Sequence, residues 1–274
     1  MTYTTDALII REVAYDDNDK LLTLLTAEYG RVNVMAKGAR SMRSGLMTAS
    51  QLYSWGNYVI YSKGERHWLR EATLIEPFFG LRNDLERLSL AAYLCDVTYE
   101  ATGEMAEAAE ILRVVLNTLY ALAHDIASPL LIKAAFELRV AAMSGFLPDL
   151  SECAHCACSS AEVMYLDVMN GALICGDCMK GDSLAQRRPD PAYEIEPTRI
   201  FLPVPQGALA AMRYVLSAPA KRLYAFRLDP ADESDFFRAC ESYLLNHFER
   251  GFSSLDFFHS LKSISPASLP IKKD

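Results

Sequence analysis

No run of eighteen or more apolar residues occurs, so no membrane-spanning helix is expected. The start, Met1-Thr2-Tyr3-Thr4-Thr5-Asp6, lacks the basic segment and apolar core of a secretory leader. Twelve prolines and thirteen glycines are too few for a fibrous or disordered chain. The motifs of several enzyme classes are missing as well. No G-x-x-x-x-G-K-[ST] segment cradles a nucleotide, and neither G-x-S-x-G nor H-E-x-x-H is present. The acids of Asp16-Asp17-Asn18-Asp19 lack the glycine and glutamate of a calcium loop and read as a solvated turn. His67, His124, His247 and His259 are scattered, and no nucleophile–base constellation is visible, so the chain reads as non-enzymatic.

What remains is a cytoplasmic chain of 274 residues, 51% apolar, long enough for a core shared between two domains. In a reducing compartment its seven cysteines are metal ligands or core residues rather than disulfides. The formal net charge of −8 speaks against a nucleic-acid partner, but its distribution speaks for one. Residues 31–70 hold Arg31, Lys37, Arg40, Arg43, Lys63, Arg66 and Arg70 against the single acid Glu65. Residues 81–150 hold five basic and ten acidic residues. A second acid-free stretch, 197–228, carries Arg199, Arg213, Lys221, Arg222 and Arg227. Cations clustered in this way are the electrostatic footprint of a phosphate-binding surface, or else the solvated face of a barrel.

The first eighty residues read as strands. Apolar runs cover 7–13 and 20–27, and Glu28-Tyr29-Gly30 marks a turn. Residues 31–37 alternate, with Val32, Val34 and Ala36 inward and Arg31, Asn33, Met35 and Lys37 outward. Residues 38–48 read as a loop. Two more runs, 51–61 and 67–75, flank the hairpin turn at Gly64. Five strands with one long connection after the third suit a small Greek-key barrel of the OB type. Helical periodicity follows at 83–101, 104–123 and 129–143, the last with Ser128-Pro129 as its start. Further helices are expected at 206–216 and 234–248, and the last ten residues read as frayed. Tyr53, Trp55, Tyr58, Tyr61 and Trp68 either fill the barrel or stack bases beside its cations, and Met35 is an outward candidate.

Cys153-Ala-His-Cys156 and Cys175-Gly-Asp-Cys178 are separated by eighteen residues. Each C-x-x-C turn aims two thiolates at one point, and a hairpin between them, turning at Asn170-Gly171, brings the pairs together around a tetrahedral zinc ion. Cys158 and His155 are spare donors nearby. Four thiolates close the coordination shell, so this zinc is structural rather than catalytic. Cys95 and Cys240 lie on apolar helical faces and read as core.

Several segments, in this order, resemble the RecO family of recombination mediators. They are DKLLTLLTAEYGR at 19–31, AKGAR at 36–40, FELR at 136–139, SGFLP at 144–148, GALIC at 171–175 within the C-x-x-C pair, and Leu261-Lys262-Ser263. The resemblance implies an α+β protein with a five-stranded OB-fold barrel (1–80). A helical domain in two parts (81–150 and 183–274) and a zinc-binding hairpin insertion (151–182) would complete it. It further implies binding to single- and double-stranded DNA, annealing of complementary strands and partnership with RecR. Contact with the C-terminal tail of single-strand DNA-binding protein, and through it loading of RecA, belong to the same picture, as does a place at the nucleoid. Arg31, Lys37, Arg40, Arg43, Lys63, Arg66 and Arg70 would then meet DNA phosphates without reading base edges. Arg139, Arg213 and Arg222 are candidates for the acidic partner tail. A zinc-containing RNA-binding or transcription accessory protein, and an adaptor that binds no nucleic acid, are the competing readings.

Overall fold

Five strands close a barrel at the N-terminus; two of them show period-two alternation, while the apolar runs of the first two are buried continuously. In the computed structural model, residues 1–104, 106, 108–159, 161–180 and 199–263 are described. The barrel strands are β1 (Thr2–Ala14), β2 (Lys20–Thr26), β3 (Gly30–Ala36), β4 (Trp55–Lys63) and β5 (Arg66–Glu76). A second set comprises β6 (Asp149–Cys153), β7 (Val163–Asp167), β8 (Ala172–Cys175) and β9 (Phe201–Pro205). The helices are α1 (Leu85–Ala101), α2 (Ala109–Ala123), α3 (Pro129–Met143), α4 (Gly176–Lys180), α5 (Gln206–Ser217), α6 (Pro230–Phe248) and α7 (Ser253–Ser263). The chain forms two units. One is residues 1–126 with the segment from Gly251 onward, and the other is Ala127–Arg250.

In the first unit the barrel order is β1-β2-β3-β5-β4, closed by antiparallel β1–β4 pairing and a parallel β3–β5 contact at Met35 and Trp68. This is the five-stranded OB topology. β1 is longer than its apolar run because it pairs with two neighbours. Thr2–Leu8 face β4 while Ala7–Ala14 face β2, and the register shifts between Ile9 and Arg11. The interior is Ala7, Ile9, Leu22, Leu24, Val32, Val34, Tyr58, Ile60 and Leu69. Along β3, Val32, Val34 and Ala36 are buried, as the alternation requires. Burying the valine, leucine and isoleucine side chains among them contributes about 1.5–3 kcal/mol each.

Periodicity alone suggests a helix from Glu104, but α2 begins at Ala109. The intervening residues run along the barrel instead. Glu104 bridges Gly30 and Arg31, the Arg31 N–H donates to the Gly103 carbonyl at 3.0 Å, and the Ala108 N–H donates to the Ala27 carbonyl at 2.9 Å. These bonds satisfy donors that a strand edge would otherwise leave open. Gly30 makes the approach possible, since its φ is +58° and a Cβ there would lie 2.4 Å from the Ala106 carbonyl oxygen. α1, capped by the Asp84 side chain on the Glu86 N–H, packs against α7. Asp96 of α1 ties the unit together. It accepts from Arg11 of β1 at 3.0 Å and from the Ser254 hydroxyl of α7 at 2.7 Å. α7 is a short helix whose apolar face, Leu255 and Phe258, is buried, and it was not foreseen in the sequence.

The second unit packs α3 against α6, beside a four-stranded sheet of order β6-β8-β7-β9. The hairpin expected between the cysteine pairs is β7–β8. Its flanks are additional: β6 runs parallel to β8, and β9 runs antiparallel to β7. Pro203 and Pro205 mask β9 as a strand in the sequence, since proline cannot donate to a ladder and is confined to edges such as this one. α3 starts where Ser128 caps the Leu131 N–H and Pro129 fills the first helical position. It is buried on nearly all sides, Lys133 and Glu137 included. The Lys133 ammonium lies 2.8 Å from a Glu137 carboxylate oxygen and 2.5 Å from Glu241 of α6. The boundary expected at 182–183 and the last ten residues lie outside the described residues.

Candidate nucleic-acid interface and metal centre

Strand pairing assembles the cysteine site. β6 delivers Cys153 and β8 delivers Cys175, both buried, while the turn after β6 carries Cys156 and α4 carries Cys178. Their four sulfur atoms all lie within 4.8 Å of one another, and Cys156 Sγ is 3.6 Å from Cys175 Sγ. Zinc–sulfur bonds of about 2.3 Å in a tetrahedron require sulfur–sulfur edges of about 3.8 Å, so the four thiols fit a zinc ion and close its shell. Cys158 and His155 are not part of the cluster. Cys158 serves the cluster through its backbone, its carbonyl accepting from the Cys153 N–H at 2.9 Å and its N–H donating to the Cys156 sulfur.

One of the four thiols, Cys153, is held toward thiolate. Burial resists ionisation of Cys153, yet the N–H groups of Cys175, His155 and Cys156 bring its pKa down to about 6. The Cys178 thiol is pushed up instead, chiefly by its neighbours Cys175 and Cys156, because adjacent sulfurs cannot all ionise without a cation between them. Cys95 and Cys240 are buried core thiols raised by burial.

The basic block of 31–70 is divided by the fold. Arg31 faces α1, where its guanidinium lies 3.8 Å from the centre of the Tyr99 ring, with Arg11 over the same ring at 3.5 Å. Arg31 is half-buried and so stands apart from the other six cations, all of which are exposed. At the opposite end of β3, Lys37 and Arg66 line one groove of about 540 Å³ on the outer face of the barrel. The backbone of this end is tightly held. Asp19 accepts from the Gly38 N–H at 2.8 Å, and the Arg40 guanidinium donates to the Asp16 carbonyl at 2.9 Å. Lys63 pairs with Arg66 across the β4–β5 turn, and the Arg70 guanidinium sits 5.0 Å from the centre of the Tyr61 ring. Arg43 is exposed in the loop after β3 and does not line the groove. Asp16, Asp17, Asp19 and Glu65 share this end of the barrel, yet among the described residues no ion pair engages Lys37, Arg40, Arg43, Lys63, Arg66 or Arg70.

The aromatics sort by strand parity. Tyr58 is interior, its hydroxyl donating to the carbonyls of Ala49 and Ser54, and Tyr53 is buried with φ +67°. Trp55 is half-buried on β4. Tyr61 and Trp68 face outward as a registered pair with ring centres 5.8 Å apart. Sequence reasoning missed Tyr15, Leu21 and His67, which line the groove with Met35 and Trp68. Tyr15 was available as a signal, being an aromatic residue inside an otherwise acidic turn. The parity of Leu21 was hidden by the Leu21-Leu22 doublet.

In the second unit Arg139 and Arg213 are engaged with backbone. Arg139 donates to the Ala218 carbonyl, and burial lowers its pKa. Arg213 donates to the carbonyls of Leu150 at 2.7 Å and Ser151 at 2.9 Å, holding α5 to β6. Arg222 is exposed, as are Lys221 and Arg227.

Comparison with known proteins agrees with this architecture. A family model described as "Recombination protein O N terminal" matches residues 1–78, and one described as "Recombination protein O C terminal" matches residues 82–195. The DNA repair protein RecO of Roseiflexus sp. (strain RS-1) is 31% identical over 97% of this chain and 90% of its own length. That of Symbiobacterium thermophilum is 28% identical over 95% of this chain and 98% of its own. That of Acetivibrio thermocellus is 27% identical over 95% and 97%.

Proposed function

The chain belongs to the RecO family of DNA repair proteins, and from that premise we propose that it is a non-enzymatic recombination mediator whose barrel binds DNA through its groove end. The observation that carries this reading is the set of exposed cations at that end, free of ion pairs among the described residues. Lys37, Arg40, Arg43, Lys63, Arg66 and Arg70 neutralise phosphates on single- and double-stranded DNA. Contacts to phosphate carry no sequence code, so binding is sequence-tolerant and falls steeply with salt. Two strands held with reduced repulsion pair spontaneously, which accounts for annealing without nucleotide hydrolysis. Arg31 is left to brace β3 against α1.

In this reading 1–80 is the DNA-binding part, 81–150 and 183–274 the helical parts, and 151–182 the zinc insertion. Cys153, Cys156, Cys175 and Cys178 hold one structural zinc ion, which supplies folding energy to the β6–β9 sheet. RecR and the acidic tail of single-strand DNA-binding protein are the partners through which RecA is loaded, in the cytoplasm at the nucleoid. For the tail, Arg139 and Arg213 each donate to backbone carbonyls and set the frame, while Arg222 offers its charge at the surface.

The test is annealing of complementary oligonucleotides by the chain and by Lys37→Glu/Arg40→Glu. Loss of annealing with an unchanged melting temperature is expected. An unchanged annealing rate rejects the barrel surface. Preference for RNA over DNA would favour the RNA-binding reading, and no affinity for either at low salt would leave an adaptor.

A further inference from the structure

The groove is more than a cationic surface. Its lining includes Met35, Leu21, Tyr15 and Trp68 together with the exposed cations Lys37 and Arg66. Met35 and Trp68 are directly paired, at the parallel contact by which β3 and β5 close the barrel. From there a ladder continues across the outer face. Trp68 lies beside Tyr61, and Tyr61 lies under the Arg70 guanidinium. Met35, Leu21 and Trp68 are half-buried and Tyr15 is exposed, so the groove keeps part of its apolar surface in contact with solvent, which phosphate contacts alone do not call for. Partly exposed aromatic and apolar side chains flanked by exposed cations suit a ligand with a π-face and a neighbouring negative charge.

We infer that the Met35–Trp68 groove receives unpaired nucleobases, with Trp68 as the stacking residue and Lys37 and Arg66 holding the flanking phosphates. The barrel thereby discriminates single-stranded DNA from duplex. This rests on the DNA-binding reading above and adds to it. Duplex bases are already stacked and turn only their edges outward, so they gain nothing from Trp68, while both polymers share the phosphate contacts. The groove's volume of about 540 Å³ is large enough for a nucleobase and its sugar. Two acids line it too. Asp19 accepts from the Gly38 N–H, and Glu65 is exposed in the lining, where it would repel a phosphate. The backbone path is thereby steered to Lys37 and Arg66.

The experiment measures fluorescence anisotropy of a labelled 20-nucleotide single strand, the matching duplex, and a single strand of abasic residues. Each is titrated with the full chain and with Trp68→Ala. Stacking on an aromatic ring predicts a loss of about tenfold or more on the normal single strand. A change of less than about twofold is expected on the duplex and on the abasic strand, which keep only phosphate contacts. Trp68→Phe retains a ring and should restore most of the lost affinity. The chain has two tryptophans, so a Trp55→Phe background makes Trp68 the sole reporter, and its emission should be quenched by the normal strand but not by the abasic one.

An equal loss on all three polymers would assign Trp68 a structural role and overturn the inference. So would unchanged single-strand affinity in Trp68→Ala, or an unquenched Trp68 in a chain that binds. In those cases DNA binding itself would stand. Failure of the unmodified chain to bind any of the three polymers would instead remove the reading on which the inference rests.

Discussion

Salt offers the most direct measure of how many cations at the barrel's end meet DNA. Of the six, Lys37, Arg40, Lys63, Arg66 and Arg70 are tied to the groove by lining it, by register or by loop contacts, and all five are exposed; Arg43 lies off the groove in the loop and is left out of this count, which is therefore a minimum. Each phosphate neutralised on a single strand steepens the slope of log K against log salt by about 0.7, so five contacts predict a slope near −3.5. Between 50 and 200 mM salt the affinity should then fall about a hundredfold. Replacing Lys37 and Arg40 by alanine removes two contacts, giving a slope near −2 and a fall of about twentyfold over the same range. The assay is equilibrium anisotropy on a homopolymeric oligonucleotide at five or more salt concentrations. Neither side chain is in an ion pair among the described residues, and both are exposed, so the thermal midpoint should move little. If the slope of the variant stays within about half a unit of the parent's, these two side chains do not touch phosphate and the gathering of cations at this end has no functional meaning. A variant with weaker binding at every salt but the same slope would count against the cations equally, since it would have lost something other than counterion release.

Three further outcomes are expected. Lys133→Met leaves Glu137 and Glu241 without their shared cation inside the α3–α6 contact. Urea unfolding should show a loss of about 3–5 kcal/mol, whereas a loss under about 1 kcal/mol would mean water already hydrates the site. Metal analysis of the purified chain should find about one zinc per molecule, and Cys153→Ala should bind almost none and melt at a lower temperature. A metal-free chain with an unaltered melting curve would dismiss the ion. Gly30→Ala combines positive φ with a Cβ 2.4 Å from the Ala106 carbonyl oxygen, so destabilisation above about 1 kcal/mol is expected by chemical denaturation, and an unchanged midpoint would show that residues 103–108 lift away at no cost.

Much of the fold was legible in the sequence because it rests on short-range rules. The alternation of β3, the glycine turns at 30 and 64, and the Ser128-Pro129 start of α3 are each encoded within a few residues. The zinc candidates were legible for the same reason, since a C-x-x-C turn presents two sulfurs whatever surrounds it. What was hidden depends on partners far along the chain. β6 and β9 become strands only because β7 and β8 offer them edges, and the prolines of β9 argue locally against it. The helical period runs back to Glu104, but Glu104 bridges Gly30 and Arg31 of β3 and the Ala108 N–H donates to Ala27 instead.

The basic block shows the same division most clearly. Its composition alone determined that this acidic chain concentrates cations within forty residues, and the order of its segments alone pointed to its family. Only the tertiary structure decided which cations act together. Arg31 and Lys37 lie six positions apart on or beside one strand, yet the first stacks on a helix at one end of the barrel and the second opens onto the groove at the other. Alternation assigns a side chain to the inner or outer face of a strand. Which neighbour awaits it on the outside is set by the closure of the barrel and by the helix packed against it, and those contacts span distances in sequence that no local pattern records.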